Sequence, residues 1–271
     1  MVQPRYIHTF SKKEQDRLLR QVQFLEPYIY QKIDFSNCNR ILEIGCGVGA
    51  QVAMIAKMFP DLCIDGIDFM ESQINRANHV LADLMASQRV NLAIASAYEL
   101  PFPGQYYDGV CIFSVLEHVE QPLAVLNEAR RVLKSSGVLY CTEVFNSGLY
   151  IYPHCPAITC YWAAFNQYQI DMGGDPDIGM KLVNLALEAG FKHVGLHDVS
   201  PILDGRMVSV SKRAEFLDFW KSLFLSASEN LVSEERITSV IISELYHEFD
   251  SLLDNKAAVF MYQGKQIKAY K

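Results

Sequence analysis

Arg40 to Gln51 reads RILEIGCGVGAQ, and the fold of the chain turns on this stretch. Ile41, Leu42 and Ile44 form a short apolar run of the kind that makes a buried strand. Gly45, Gly47 and Gly49 follow at once, with Cys46 between the first two, and Ala50 to Ala56 then opens a helix. A strand that passes through a glycine-rich turn into a helix leaves backbone N–H groups and a helix N-terminus over a ligand. Glu43 stands two residues before Gly45. The next predicted strand, Leu62 to Asp68, ends on an acid, and a carboxylate there is placed to accept from the two hydroxyls of a ribose.

The E-x-G-x-G-x-G spacing of Glu43, Gly45, Gly47 and Gly49 resembles motif I of the class I S-adenosylmethionine (SAM) methyltransferases. Leu100-Pro101-Phe102-Pro103, Tyr107-Asp108-Gly109-Val110 and Val115-Leu116-Glu117-His118-Val119 carry the resemblance on to about residue 145. They are similar to the small-molecule branch that includes the ubiquinone and menaquinone C-methyltransferases. The resemblance implies SAM as cofactor and an α/β, Rossmann-like sheet of seven strands with helices on both faces. It implies that Gly45, Cys46, Gly47 and Gly49 hold the methionyl part, with Glu43 orienting the loop or reaching the amine through water. Asp68 takes the ribose on this reading, Phe69 and Met70 flank the adenine, and Phe113 and Ser114 approach the sulfonium. Ala95-Ser96-Ala97-Tyr98 stands where the family has Gly-Asp-Ala, so Ser96 replaces the aspartate that binds the adenine amino group, with Ala97 and Tyr98 beside it. A hydroxyl still accepts a hydrogen bond there, without charge assistance. Glu117-His118 reads as a structural pair at a helix start in preference to a catalytic base.

The chain of 271 residues, half of them hydrophobic and a fifth charged, suits one large α/β domain over 1–271. No apolar run approaches the roughly 18–20 residues of a membrane span, and MVQPRYIHTF lacks the apolar core of a secretory signal. Seven cysteines, an odd number placed mostly in apolar strands (Cys63, Cys111, Cys141), read as reduced thiols of a cytoplasmic protein. A net charge of −7 without a Lys/Arg run argues against a nucleic-acid partner. The expected partner is a small-molecule substrate, and nothing in the sequence stands against a homodimer.

Outside the predicted core of 34–145, three segments carry apolar faces that must cover something. Residues 1–33 hold Tyr6, Ile7, His8 and Phe10, then a capping box Ser11-Lys12-Lys13-Glu14 and a helix that Pro27 kinks or restarts. Asn146-Ser147-Gly148 reads as a loop, followed by an aromatic run from Tyr150 to Tyr168. Residues 212–255 read as two helices between the last two strands. The expectation is a helical cover from 1–33 and a substrate lid from 146–177 and 212–255, with Tyr152, His154, Tyr161, Trp162 and Phe165 lining a chamber. The aromatic run reads equally as the buried face of a helix. Glu143, Tyr152 and His154 are the candidate catalytic residues if the acceptor must lose a proton. His154, Cys155 and Cys160 have no second Cys-x2-Cys to support a metal, and none is expected. The leading function is SAM-dependent methyl transfer to a small, largely apolar or aromatic molecule or amine, the acceptor being N, O, S or C. The alternative is a SAM-binding partner or scaffold protein without transfer activity, towards which Ser96 leans.

Overall fold

The computed structural model describes residues 7–271, so Tyr6 and the rest of 1–6 in the expected cover lie outside the described residues. After α1 (Lys12–Ile29), the core runs β1 (Arg40–Ile44), α2 (Ala50–Met58), β2 (Cys63–Asp68), α3 (Glu71–Val80), α4 (Ala82–Ala86), β3 (Val90–Ile94), β4 (Tyr107–Phe113), α5 (Pro122–Val132) and β5 (Leu133–Tyr152). The remainder is α6 (Pro156–Asp171), α7 (Leu182–Glu188), β6 (Lys192–Asp198), β7 (Ile202–Asp204), α8 (Val210–Phe224), α9 (Ser228–Ser233), α10 (Ser239–Asp254) and β8 (Val259–Tyr270). The sheet order is β3-β2-β1-β4-β5-β8-β6, with β7 paired to β8 beyond this path. Strands β1 to β5 are parallel, and β8 is antiparallel to β5, β6 and β7.

Parallel strands with helices on both faces are apolar in both directions. Ile41, Leu42 and Ile44 are fully buried, but alternate residues serve different layers. Ile41, Cys111 and Tyr140 pack with α1, α2 and α3, whereas Leu42, Val110, Ile112 and Leu139 pack with α5 and α7. This sandwich turns the carboxyl ends of β1, β2 and β4 towards one rim, where open α/β sheets bind ligands.

The seven expected strands are joined by the short β7, and β5 is far longer than its sequence pattern implied. Asn146-Ser147-Gly148 does not end the strand. It is a break in register between Phe145 and Tyr150, after which Tyr150, Ile151 and Tyr152 pair with Met261, Phe260 and Val259. β7 lies along the other side of the same stretch of β8. Ile151, Phe260 and Leu203 face a third apolar cluster filled from α6, α8 and α10. Residues 212–255 supply α8, α9 and α10, one short helix more than expected.

α1 closes the rim from above. The Ser11 hydroxyl accepts from Glu14 N at 3.3 Å, as an N-cap should. The Glu14 carboxylate does not complete the expected capping box; it turns onto Arg17 instead, at 2.6 and 2.8 Å. Pro27 neither kinks nor restarts the helix but sits in its last turn, and α1 runs on to Ile29. Phe24 stacks on Phe219 at 3.9 Å between ring centroids, which ties α1 to α8.

Candidate active site

A cavity of about 740 Å³ opens at the carboxyl ends of β1, β2 and β4 and extends over β5 towards β8. At one end lie Gly45, Cys46, Gly47, Asp68, Phe69, Ser96, Ala97, Tyr98, Phe113 and Ser114, ten of the sequence candidates brought onto one wall. A Cβ on Gly45 would come within 2.4 Å of Val115 Cγ2, so the turn packs hard against the loop after β4. Gly47 differs: its φ is +50° and a Cβ there would meet nothing within 4 Å, because it faces the open cavity. The loop is therefore a cradle that a side chain at this position would fill.

Asp68 secures that cradle. Its carboxylate accepts from Gly47 N at 3.0 Å and from Met70 N at 2.9 Å. Burial raises its pKa above the ordinary carboxylate value, against the pull of these amides. Ser96 Oγ accepts from Tyr98 N at 3.1 Å, which leaves its own proton to give. Ser114, at the end of β4, holds a left-handed φ of +52°, a strained conformation that settles most often at functional sites. A glycine turn open to the cavity, an acid at the end of β2 and a half-exposed Phe69 together fit a molecule with an amino-acid end, a ribose and a flat base.

Three cofactor candidates stand off this wall. Glu43 is wholly buried beneath the loop, and neither carboxylate oxygen has a hydrogen-bond partner among the described residues. Burial first, then the Asp68 charge, pushes its pKa well up, which favours the protonated form of this core residue. Gly49 caps α2, and a Cβ there would lie 2.6 Å from Leu81 Cδ1, so it is a packing glycine. Met70 contributes its backbone N–H to Asp68.

The catalytic candidates need larger corrections. Tyr152 and His154 are exposed and do not line the cavity. The cause is strand parity: Tyr150 and Tyr152 point away from the face that Ile151 buries. Tyr161, also expected in the lining, is buried away from it, donating from its hydroxyl to Phe224 O. Glu143 is on the wall, but Oε1 accepts from Val115 N (3.0 Å) and Leu116 N (2.8 Å) and Oε2 from Glu117 N (3.2 Å). It clamps the turn after β4. Burial and the nearby Glu117 charge raise its pKa. Trp162 and Phe165 do line the cavity, stacked on each other at 4.8 Å.

Two histidines that the sequence reading left out of the site face one another in it. His8, ahead of α1, and His118, after β4, line the cavity with ring centroids 6.2 Å apart. His8 Nδ1 lies 2.6 Å from Ser226 Oγ, which in turn lies 2.5 Å from Leu223 O. Burial lowers both pKa values, that of His8 further, with Arg17 and His118 adding to the effect. Both rings are thus neutral near pH 7. No local pattern marks His8, because only the docking of α1 brings it here; His118 was visible in its motif but without a facing partner.

The comparisons with known proteins agree with this geometry. Residues 42–141 match the family described as methyltransferase domain. Over those residues the chain is similar to methyltransferase domains, and its fold is that of the class I enzymes. An uncharacterised methyltransferase of Schizosaccharomyces pombe is 26% identical over 175 residues, 59% of each chain. The 27-O-demethylrifamycin SV methyltransferase of Amycolatopsis mediterranei is 35% identical over 101 residues, 37% of each chain. This chain thus spans between about a third and three-fifths of the length of these relatives. Among solved structures, phosphoethanolamine N-methyltransferase 2 of Haemonchus contortus, with phosphomonomethylethanolamine and S-adenosylhomocysteine, superposes over 98% of this chain and 59% of that one. Its TM-score is 0.63 at 15% identity, a likeness of fold. Among the described residues, no helix is long and apolar enough to cross a membrane.

Proposed function

We propose that the chain is a SAM-dependent methyltransferase acting on a hydroxyl of a small, largely apolar molecule. The observation that carries this is the cradle itself, with Gly47 facing open cavity and its N–H held by the Asp68 carboxylate. SAM would supply a methyl on a sulfonium, released as the carbon–sulfur bond breaks to a neutral thioether. The open turn around Gly45 and Gly47 takes the amino-acid end, Asp68 the ribose, and Phe69, Ser96 and Tyr98 the adenine. The aromatic wall of Trp162 and Phe165 holds the acceptor's body and keeps water from the reacting atoms. The pair His8 and His118 takes the hydroxyl proton as the oxygen accepts the methyl, a task that suits neutral imidazoles. α1 with residues 146–177 and 212–255 roofs the chamber. The relative named for 27-O-demethylrifamycin SV supports an oxygen acceptor. The negative charge and free cysteines support a cytoplasmic protein that does not bind nucleic acid.

Titration calorimetry with SAM, on the wild type and Asp68→Ala, tests the cofactor half. Affinity falls about tenfold or more in the variant, since hydrogen bonds to a charged acceptor are worth about 1.5–3 kcal/mol each. Incubation with methyl-labelled SAM and a panel of hydroxylated ring compounds tests transfer, with labelled methyl ether as product. Absence of SAM binding would sink the proposal; binding with no transfer to any acceptor would favour a SAM-binding partner or scaffold.

A further inference from the structure

The cavity wall carries one buried ion pair whose place has a consequence for the substrate. Arg17 and Glu14, one turn apart on α1, are 4% and 3% exposed, and Arg17 lines the cavity. Each guanidinium nitrogen has a partner: Nε and NH2 donate to the two Glu14 oxygens at 2.8 and 2.6 Å, and NH1 donates to Gln21 at 2.6 Å. Among the described residues on this wall, Arg17 is the one lysine or arginine. The histidines beside it are held neutral. Asp68, Glu117, Glu120 and Glu143 share the wall. A carboxylate or phosphate entering the chamber would thus find its one arginine already neutralised by a two-point partner and would meet acids elsewhere. Desolvating an anion without a partner is costly, whereas an uncharged ring enters with its apolar surface buried.

We propose that Glu14 is a specificity-determining residue, which cancels Arg17 inside the chamber and commits the site to uncharged substrates over anionic ones. This rests on the functional reading above and narrows its substrate class. The fork of Arg17 is the natural receptor for a carboxylate, and Glu14 occupies it from within the same helix turn. Removing the Glu14 charge while keeping its shape would hand that fork to the ligand.

The test uses two matched probes, 1-naphthol and 1-hydroxy-2-naphthoate, titrated into the full chain loaded with S-adenosylhomocysteine. The chain has two tryptophans, Trp162 and Trp220, and both line the cavity, so their fluorescence reports occupancy alongside calorimetry. The wild type should bind the neutral ring at least tenfold more tightly than the anion. In Glu14→Gln that ratio should fall at least tenfold. In the double variant Glu14→Gln with Arg17→Gln, which removes both charges, the wild-type preference should return. A wild type that binds the anion as well as the neutral ring, or binds neither, overturns the proposal. So does a double variant that loses the preference as the single one does, since loosening of α1 would then explain both. Failure of S-adenosylhomocysteine itself to bind would instead remove the methyltransferase reading, and is seen in the first titration.

Discussion

Gly47 and Gly49 differ by two positions and both have positive φ, yet they do different things. Gly49 gives way to Leu81, while Gly47 gives way to the open cavity. Gly47→Ala should therefore fold, losing about 1–2 kcal/mol for a left-handed alanine, while SAM affinity falls by at least tenfold. Thermal unfolding beside calorimetry separates the two, and unchanged affinity would move the cofactor away from this loop. At the same scale, the histidine pair sets the pH response. A base must be neutral to act, and burial lowers both pKa values below the ordinary 6.5. The rate should stay level through pH 7 and decline only below 6.5, and His118→Gln should cut it by about 10²–10⁴ with SAM affinity kept. Stability follows the same sign: the folded chain keeps these rings neutral while the unfolded chain protonates them, so their contribution is present above pH 6.5 and lost as the pH falls. A rate limb centred above pH 7 would assign the proton to another group.

Among the elements, α1 has most to hold together. It carries Arg17, Leu18, Gln21, Leu25 and Ile29 to the cavity and reaches α8 through Phe24. Phe24 also meets Phe216 and Trp220 edge-on, at 5.5 and 6.1 Å. Truncation to alanine should cost about 2–3 kcal/mol, less than the 3–5 of a fully buried phenylalanine because Phe24 is only partly buried. Denaturant unfolding gives that figure. Amide exchange should speed up along α1 more than along α2, and equal protection would mean that α1 is anchored elsewhere. The turn after β4 is held in a different way, by three backbone amides on Glu143 and by Gln169 of α6, whose Nε2 donates to Glu117 O at 3.1 Å and to Glu117 Oε2 at 2.9 Å. α6 thereby supports the turn that presents His118.

Across the whole molecule, the cavity links the cofactor rim to the extended arm of β5, β7 and β8. Neighbouring strands lie about 4.8 Å apart, so β8, three strands from β1, lies about 14 Å across the sheet from it. The cavity spans that width, from the glycine turn to Trp162, Trp220 and Tyr262. If the roof closes over both, amide exchange in α1 and α6 should slow when S-adenosylhomocysteine and 1-naphthol are present together, and less with either alone. Exchange indifferent to both ligands would make α1 and α6 fixed packing and not a lid.

The local stretch from Arg40 to Asp68 was enough to place the strand, the glycine turn and the acid that holds it, because those contacts lie within one βαβ unit and spacing along the chain decides them. The departure at Ser96 was visible for the same reason. The catalytic wall was not legible in this way. Tyr152 and His154 looked like chamber residues because aromatic composition does not reveal whether a segment alternates as a strand or turns as a helix. β8, more than a hundred residues later, draws 150–152 into a strand and turns Tyr152 outward. His8 and Arg17 reach the site only because α1 docks on α8 and over the rim, a contact between segments some two hundred residues apart. Sequence determined the strand, the glycine turn and the acid at the carboxyl ends of the strands; tertiary packing decided what faces them, since burial of apolar faces is blind to order along the chain.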